Sequence, residues 1–226
     1  MQKLFKLTNQ DGTTYNGYPY GEVEKIHTKP KKDNPRLCSS DVLHAYRNKN
    51  LVFLLNPIHA DISNPKLWEI KGAVVCHDFG KVGSLTQEVV KELKLPKWVG
   101  SEKEQLVRVA FAILCAEVVL HHFEDVMPGD DRPRKAVEAA KEYLKNPSVA
   151  YAARAAYAAR AAAYAAAYAA RAAAYAARAA AYAAYAAYAA RAAYAARAAA
   201  YAAAYAPEID FGKLADEAVK MVMGRK

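Results

Sequence analysis

YAARAAYAARAAAYAAAYAARAAAYAARAAAYAAYAAYAARAAYAARAAAYAAAYA, residues Tyr151–Ala206, contains no Gly, Pro, Asn or Asp. Alanine has the highest intrinsic helix propensity of any residue, so the stretch predicts one continuous helix. Ser148 supplies a capping hydroxyl at its start and Pro207 stops it, giving a predicted rod over residues 148–206. At 1.5 Å per residue the rod is about 85 Å long, more than a globular domain of this size needs.

Within the rod the residues that are not alanine are Tyr151, Arg154, Tyr157, Arg160, Tyr164, Tyr168, Arg171, Tyr175, Arg178, Tyr182, Tyr185, Tyr188, Arg191, Tyr194, Arg197, Tyr201 and Tyr205. Their mean spacing of about 3.4 residues falls short of the helical turn of about 3.6, so the stripe winds left-handedly. A seam along it predicts a left-handed supercoil. Side chains three or four apart touch on a helix, which lets guanidinium groups lie over phenol rings. Tyr and Arg are also the residue types enriched at binding hot spots, so all seventeen are candidate binding residues.

The chain has 226 residues and a net charge of +9, and the tract holds six arginines and no acid. A cationic rod attracts acidic protein surfaces or nucleic acid, and its bare alanine face allows close self-association. The arginines interrupt the tract too often for a membrane span, and the start MQKLFKLTNQDG lacks the apolar run of a secretion leader. Three widely spaced cysteines, Cys38, Cys76 and Cys115, form no C-x-x-C pair and are predicted to be buried thiols in a reducing compartment. These features predict a cytoplasmic protein without membrane contact.

Outward from the rod, the fold class predicted is α+β: a head over 1–100, two amphipathic helices over 101–147, the rod over 148–206, and a last helix over 207–226. In the head, KLFKLT followed by Asp11-Gly12 predicts a hairpin turn, and Ser39 or Ser40 is placed to cap a short helix through Asp41, Val42, Leu43 and Tyr46. Leu51–Asn56 reads as a buried strand and Leu67–Phe79 as a strand or strand pair, while Leu85–Leu95 fits either period. Glu102–Phe123 places Leu106, Val109, Ala110, Ile113, Leu114 and Val118 on one broad helical face. Met127-Pro128-Gly129 stops that helix, Asp130 and Asp131 before Pro133 open another to about Lys145, and Asn146-Pro147 ends it. Asp210 is placed to cap a helix facing Phe211, Leu214, Val219 and Val222 inward.

Catalytic and metal signatures are weak. Glu117 and His121 lie four apart, near His122 and Asp125, but no second ligand pair follows, so His121 reads as structural. His44, His59, His77 and Cys76 are scattered, and Gly80–Ser84 lacks the spacing of a phosphate loop and reads as a β-turn. No catalytic residue, metal or cofactor is predicted.

The stretch RVAFAILCAEVVLHHFEDVMPGDDRPRKAVEAAKEYLKN resembles the immunity proteins of bacterial toxin systems. The resemblance rests on Phe111, Ala112, Cys115 and Ala116, then on Asp131, Arg132, Pro133, Arg134 and Ala136, followed by Ala/Arg/Tyr-rich helix. The histidines that usually punctuate that family's alanine helices are replaced here by Tyr and Arg. The first hundred residues, with LCSSDVLHAY, LLNPIHADISNPKLWE and KVGSLTQEVVKELKLP, resemble a domain of unknown function common in bacteriophage proteins. Together the resemblances imply a non-enzymatic, phage-encoded binder acting in an infected or host bacterium. It would neutralise or sequester a host macromolecule, as an immunity or anti-defence factor does. A self-assembling rod or homo-oligomer and a nucleic-acid binder remain the alternative readings, the latter through Arg–phosphate and Tyr–base contacts.

Overall fold

The computed structural model describes residues 1–147 and 209–224, apart from 79 and 127, and gives only the backbone at 58, 119, 122, 123, 125 and 126. The predicted rod and all seventeen of its Tyr and Arg residues lie outside the described residues. The chain divides into two units, Met1–Val99 and Gly100–Lys226. With an antiparallel sheet in the first and helices in both, it is an α+β protein.

The first unit is built on β1 (Gln2–Thr8), β2 (Ile26–Thr28), β3 (Leu43–Tyr46), α1 (Lys49–His59), β4 (Lys66–His77) and β5 (Lys81–Leu93). All pairings are antiparallel, in the order β2-β5-β3-β1-β4 with a further β5–β4 pairing, so four strands close into a ring and β2 extends one edge. Closing so few strands needs sharp bends. Register shifts at Glu69/Ile70, Gly72/Val74 and Val74/Cys76 supply them in β4, since a bulge bends a strand and adds twist. At Gly72 a Cβ would sit 2.8 Å from Ser84 Oγ, so only glycine lets the bent strands approach this closely. Leu4, Tyr20, Ala45, Trp68, Ile70, Val82 and Val89 form a buried cluster. Three buried polar contacts lie beside it: Trp68 Nε1 donates to Thr8 Oγ1 at 2.8 Å, the Tyr20 hydroxyl to Gln87 Oε1, and Gln87 Nε2 to Leu43 O, while the buried Ser84 hydroxyl has no partner among the described residues.

Several head expectations are corrected. Leu51–Asn56 is helix, not strand: every residue of it is buried, and burial without alternation suits either element. The local signal that decides is Asn48, whose side chain accepts from the backbone N–H groups of Asn50 and Leu51. Asp41–Tyr46 is not a capped helix but leads into β3, because Ser39 Oγ donates to Arg36 O and accepts from Asp41 N, closing a turn. The Asp11-Gly12 turn exists, with Gly12 at φ 82°, yet it does not pair β1 with its successor; β1 pairs with β3 and β4. The ambiguous run from Leu85 is strand to Leu93, and Lys81–Ser84 is strand rather than β-turn.

The second unit contains α2 (Glu104–Val126), α3 (Arg132–Lys145) and α4 (Phe211–Met223), with α3 and α4 both packed on α2. The α2 burial is broader than one face: Val107, Val109–Ile113, Cys115 and Ala116 are all buried, while Val118 is exposed. A helix apolar around most of its circumference is a central one. On α4, capped by Asp210 accepting from Lys213 N, small alanines at 215 and 218 join Phe211 and Val222 inside, and Leu214 and Val219 are half-buried. Alanine at a helix contact lets two backbones come close. Cysteine burial also departs from expectation: Cys38 is exposed, Cys76 half-buried and Cys115 buried.

Trp68 and Trp98 are the chain's only tryptophans and both belong to the first unit, so tryptophan fluorescence follows that unit's unfolding. Asn48→Ala is expected to lower its stability by about 1 kcal/mol, the usual worth of an N-cap. An unchanged fluorescence-detected unfolding midpoint would show that the cap does not hold α1.

Candidate functional site

The sequence-predicted site residues are outside the described part, so the geometry available is that of two other places. One is the motif that carries the family resemblance. Phe111, Ala112, Cys115 and Ala116 are buried on α2, with the Phe111 ring edge-on to Phe211 at 6.2 Å, and burial pushes the Cys115 thiol up well above the usual value. Pro133 and Ala136 are buried on α3, while Arg134 makes a bidentate pair with Glu124, at 2.7 Å for each nitrogen. Arg132 is held by Asp130, which accepts from both its backbone N–H and its guanidinium. Of the two acids expected to open this helix, Asp130 accepts from the Arg132 backbone N–H, and the Asp131 side chain makes no cap bond. Glu117, a candidate ligand from sequence, pairs with Lys141. His121 is exposed, and the side chains of His122 and Asp125 lie outside the described part; among the described residues no His/Cys/Asp/Glu cluster is arranged to hold a metal. The motif residues thus fasten α2, α3 and α4 together, and their chemistry is packing.

The other place is a cleft of about 600 Å³ in the first unit, which sequence reasoning missed. Lys6 of β1, His44 and Tyr46 of β3, Lys81 of β5 and His59 of α1 line it, with Cys38 and the 14–20 loop at its margin. Its electrostatics are one-sided. Lys6, Lys29 and Lys81 line it, and no Asp or Glu does. Lys6 Nζ donates to His44 O at 2.6 Å and lies 4.5 Å from the centre of the Tyr20 ring. Lys81, itself buried, donates to Cys38 Sγ at 2.9 Å. Neighbouring acids are committed elsewhere: Asp41 binds Lys32 and the Arg36 N–H, and Asp78 Oδ1 accepts from the backbone N–H of Lys81.

Burial pulls the Lys6 ammonium down to about 8, because it leaves water without a counter-charge. Burial, then the positive field of Lys6, Lys81 and Lys29, brings His44 down to about 4. Burial followed by Lys81 and His44 does the same to His59, also to about 4. Both imidazoles are neutral at pH 7, and their hydrogen bonds agree. His44 Nε2 accepts from the Cys38 N–H at 3.1 Å, which puts its proton on Nδ1. The Tyr46 hydroxyl, whose ionisation burial opposes, shares a hydrogen bond with His59 Nδ1. At the rim, His27 Nε2 donates to Tyr20 O and Nδ1 accepts from the Tyr18 hydroxyl, fixing that ring. Cys38 has φ 57°, in the left-handed region, where its side chain is held against Lys81.

The family model described as Imm-5 like putative immunity protein matches residues 99–220. That is more than half of the chain, and the chain belongs to this family. Neither a curated protein nor a solved structure matches it. Among the described residues no helix is long and apolar enough to cross a membrane.

Two outcomes follow from these geometries. Phe111→Ala should destabilise the second unit by about 3 to 5 kcal/mol, whereas Arg134→Ala should cost about 1 kcal/mol or less, as half-exposed ion pairs do. Hydrogen exchange of α2 amides reads both, and equal effects would contradict the packing role. For the first unit, His44 and His59 have folded values below the unfolded value of about 6.5, so the unfolded chain takes up protons first as pH falls. The stability these two imidazoles contribute is therefore present above about pH 6.5 and lost toward pH 4. Fluorescence-detected Tm should drop by several degrees between pH 7 and 4.5, and by less in His44→Gln/His59→Gln.

Proposed function

We propose that this chain is an immunity-type binding protein, which neutralises or sequesters a protein partner through its C-terminal half instead of by catalysis. The observation that carries the reading is family membership over residues 99–220, a span that includes α2, α3, most of α4 and the Tyr/Arg tract. Burial of the family motif at Phe111, Ala112, Cys115, Ala116, Pro133 and Ala136 supports it, since those residues are spent on packing and leave contact to other side chains. The contact surface we assign is the stripe from Tyr151 to Tyr205, on a single helix over 148–206. Its six arginines and absence of acid favour an acidic partner, and its phenol rings supply large area at low entropic cost. The resemblance of the first hundred residues to a bacteriophage domain, read from their sequence, suits a partner encoded by the host.

Replacing Tyr175, Arg178, Tyr182 and Tyr188 together with alanine should leave helicity intact, because alanine is the better helix former. Affinity capture from host lysate with the wild-type chain and this variant, compared band by band, should show a partner held by the first and lost by the second. Retention of every captured protein by the variant would remove the stripe from the account. The tract's charge also favours nucleic acid, and a duplex DNA probe separates the two readings. Six phosphate contacts would make log K fall by about 5 for each tenfold rise in salt. Weak DNA binding is expected, with a shallower salt dependence for the acidic protein partner.

A further inference from the structure

We infer that the cleft bounded by β1, β3, β5 and the end of α1 is a binding site for a phosphate-bearing small molecule with a flat ring, of the nucleotide class. This role is separate from the neutralising function of the C-terminal half.

The cationic groups make the case for the phosphate. Lys6 shares its face of β1 with Leu4 and Thr8, because side chains two apart point the same way, and Leu4 belongs to the buried cluster. A lysine at such a position costs stability unless something neutralises it. Nothing in the first unit does so: Lys6 Nζ meets a carbonyl oxygen and a ring, and the Lys81 ammonium meets only a thiol. Among the described residues neither ammonium has an ion pair, although twelve other pairs are formed. The ammonium groups of half-buried Lys6 and buried Lys81, with Lys29 and the Ser39 and Ser40 hydroxyls lining the same cleft, form a site with donors and no competing anion. A phosphate is the group whose charge and acceptor oxygens satisfy them together.

Two features argue for the ring. The cleft, at about 600 Å³, has the size of a small-molecule site rather than a groove for a chain. At its margin Tyr15 and Tyr18 remain 67% and 44% exposed, although both are large apolar residues. Tyr18 is held by its hydroxyl on His27 at 3.2 Å and is therefore a preset stacking surface.

Calorimetry on the full chain at pH 7 provides the test, with the four ribonucleoside 5′-diphosphates, their nucleosides and inorganic phosphate as probes. At least one diphosphate should bind tenfold or more tightly than its nucleoside, and inorganic phosphate should compete. Lys6→Met should weaken that binding tenfold or more while raising the unfolding temperature of the free protein, because it removes an uncompensated charge. Lys81→Met should also weaken binding, which keeps the test decisive if either variant folds poorly. Tyr18→Phe, which keeps the ring and loses its anchor, should weaken diphosphate binding less than either lysine change. Absence of binding by all four diphosphates, equal affinity for nucleoside and diphosphate, or undiminished binding in both lysine variants would each overturn the assignment.

Discussion

Strand β5 is hydrogen-bonded along both edges, to β4 on one side and to β3 and then β2 on the other, and that double pairing constrains everything else in the first unit. Because β1 in turn joins β4 to β3, along its whole length on one side and at Phe5–Tyr46 on the other, the sheet closes on itself. Closure has a chemical consequence. It brings Lys6 from the first strand and Lys81 from the last together with His44, in a cleft that no carboxylate lines. The residues are 75 positions apart in sequence and come to one cleft through the closure of the ring. The cationic character of the cleft is thus a property of the topology.

The second unit follows a different logic. Its central helix is buried around most of its girth and gives its polar positions to fastening: Glu124 holds Arg134, and Glu117 holds Lys141. Small residues on α4 let it approach α2, and Phe211 meets Phe111 edge-on. The family motif is therefore a specification for a helical platform. That division of labour is consistent with a partner-binding role in which recognition sits on exposed side chains and the shared motif supplies only their scaffold.

How much of this was legible from the residues depended on whether the signal was local. The helix opened near Pro133 and closed at Asn146-Pro147, and the one capped by Asp210, were readable because caps and prolines act within one turn. Leu51–Asn56 was misread as strand because a run buried on all sides has no period to betray it, and the side chain that decides, Asn48, lies outside the run. Asp41–Tyr46 was misread for the opposite reason: Ser39 has the right chemistry for a helix cap, but its hydroxyl closes a turn whose meaning is set by β3 pairing with β5. The cleft was invisible. Lys6 sits in KLFKLT as one of two similar lysines, and nothing in that stretch says that one faces solvent beside Glu69 while the other loses its water.

The account of the first unit stands on Lys6 being an ammonium out of water with no counter-charge, and its titration measures that directly. Nuclear magnetic resonance of the lysine ε-methylene groups across pH 6 to 12, assigned with Lys6→Met, should show one lysine titrating at about 8. If Lys6 instead titrates at the ordinary lysine value of about 10.5, its charge is solvated or already paired, and the cleft is not the cationic site described.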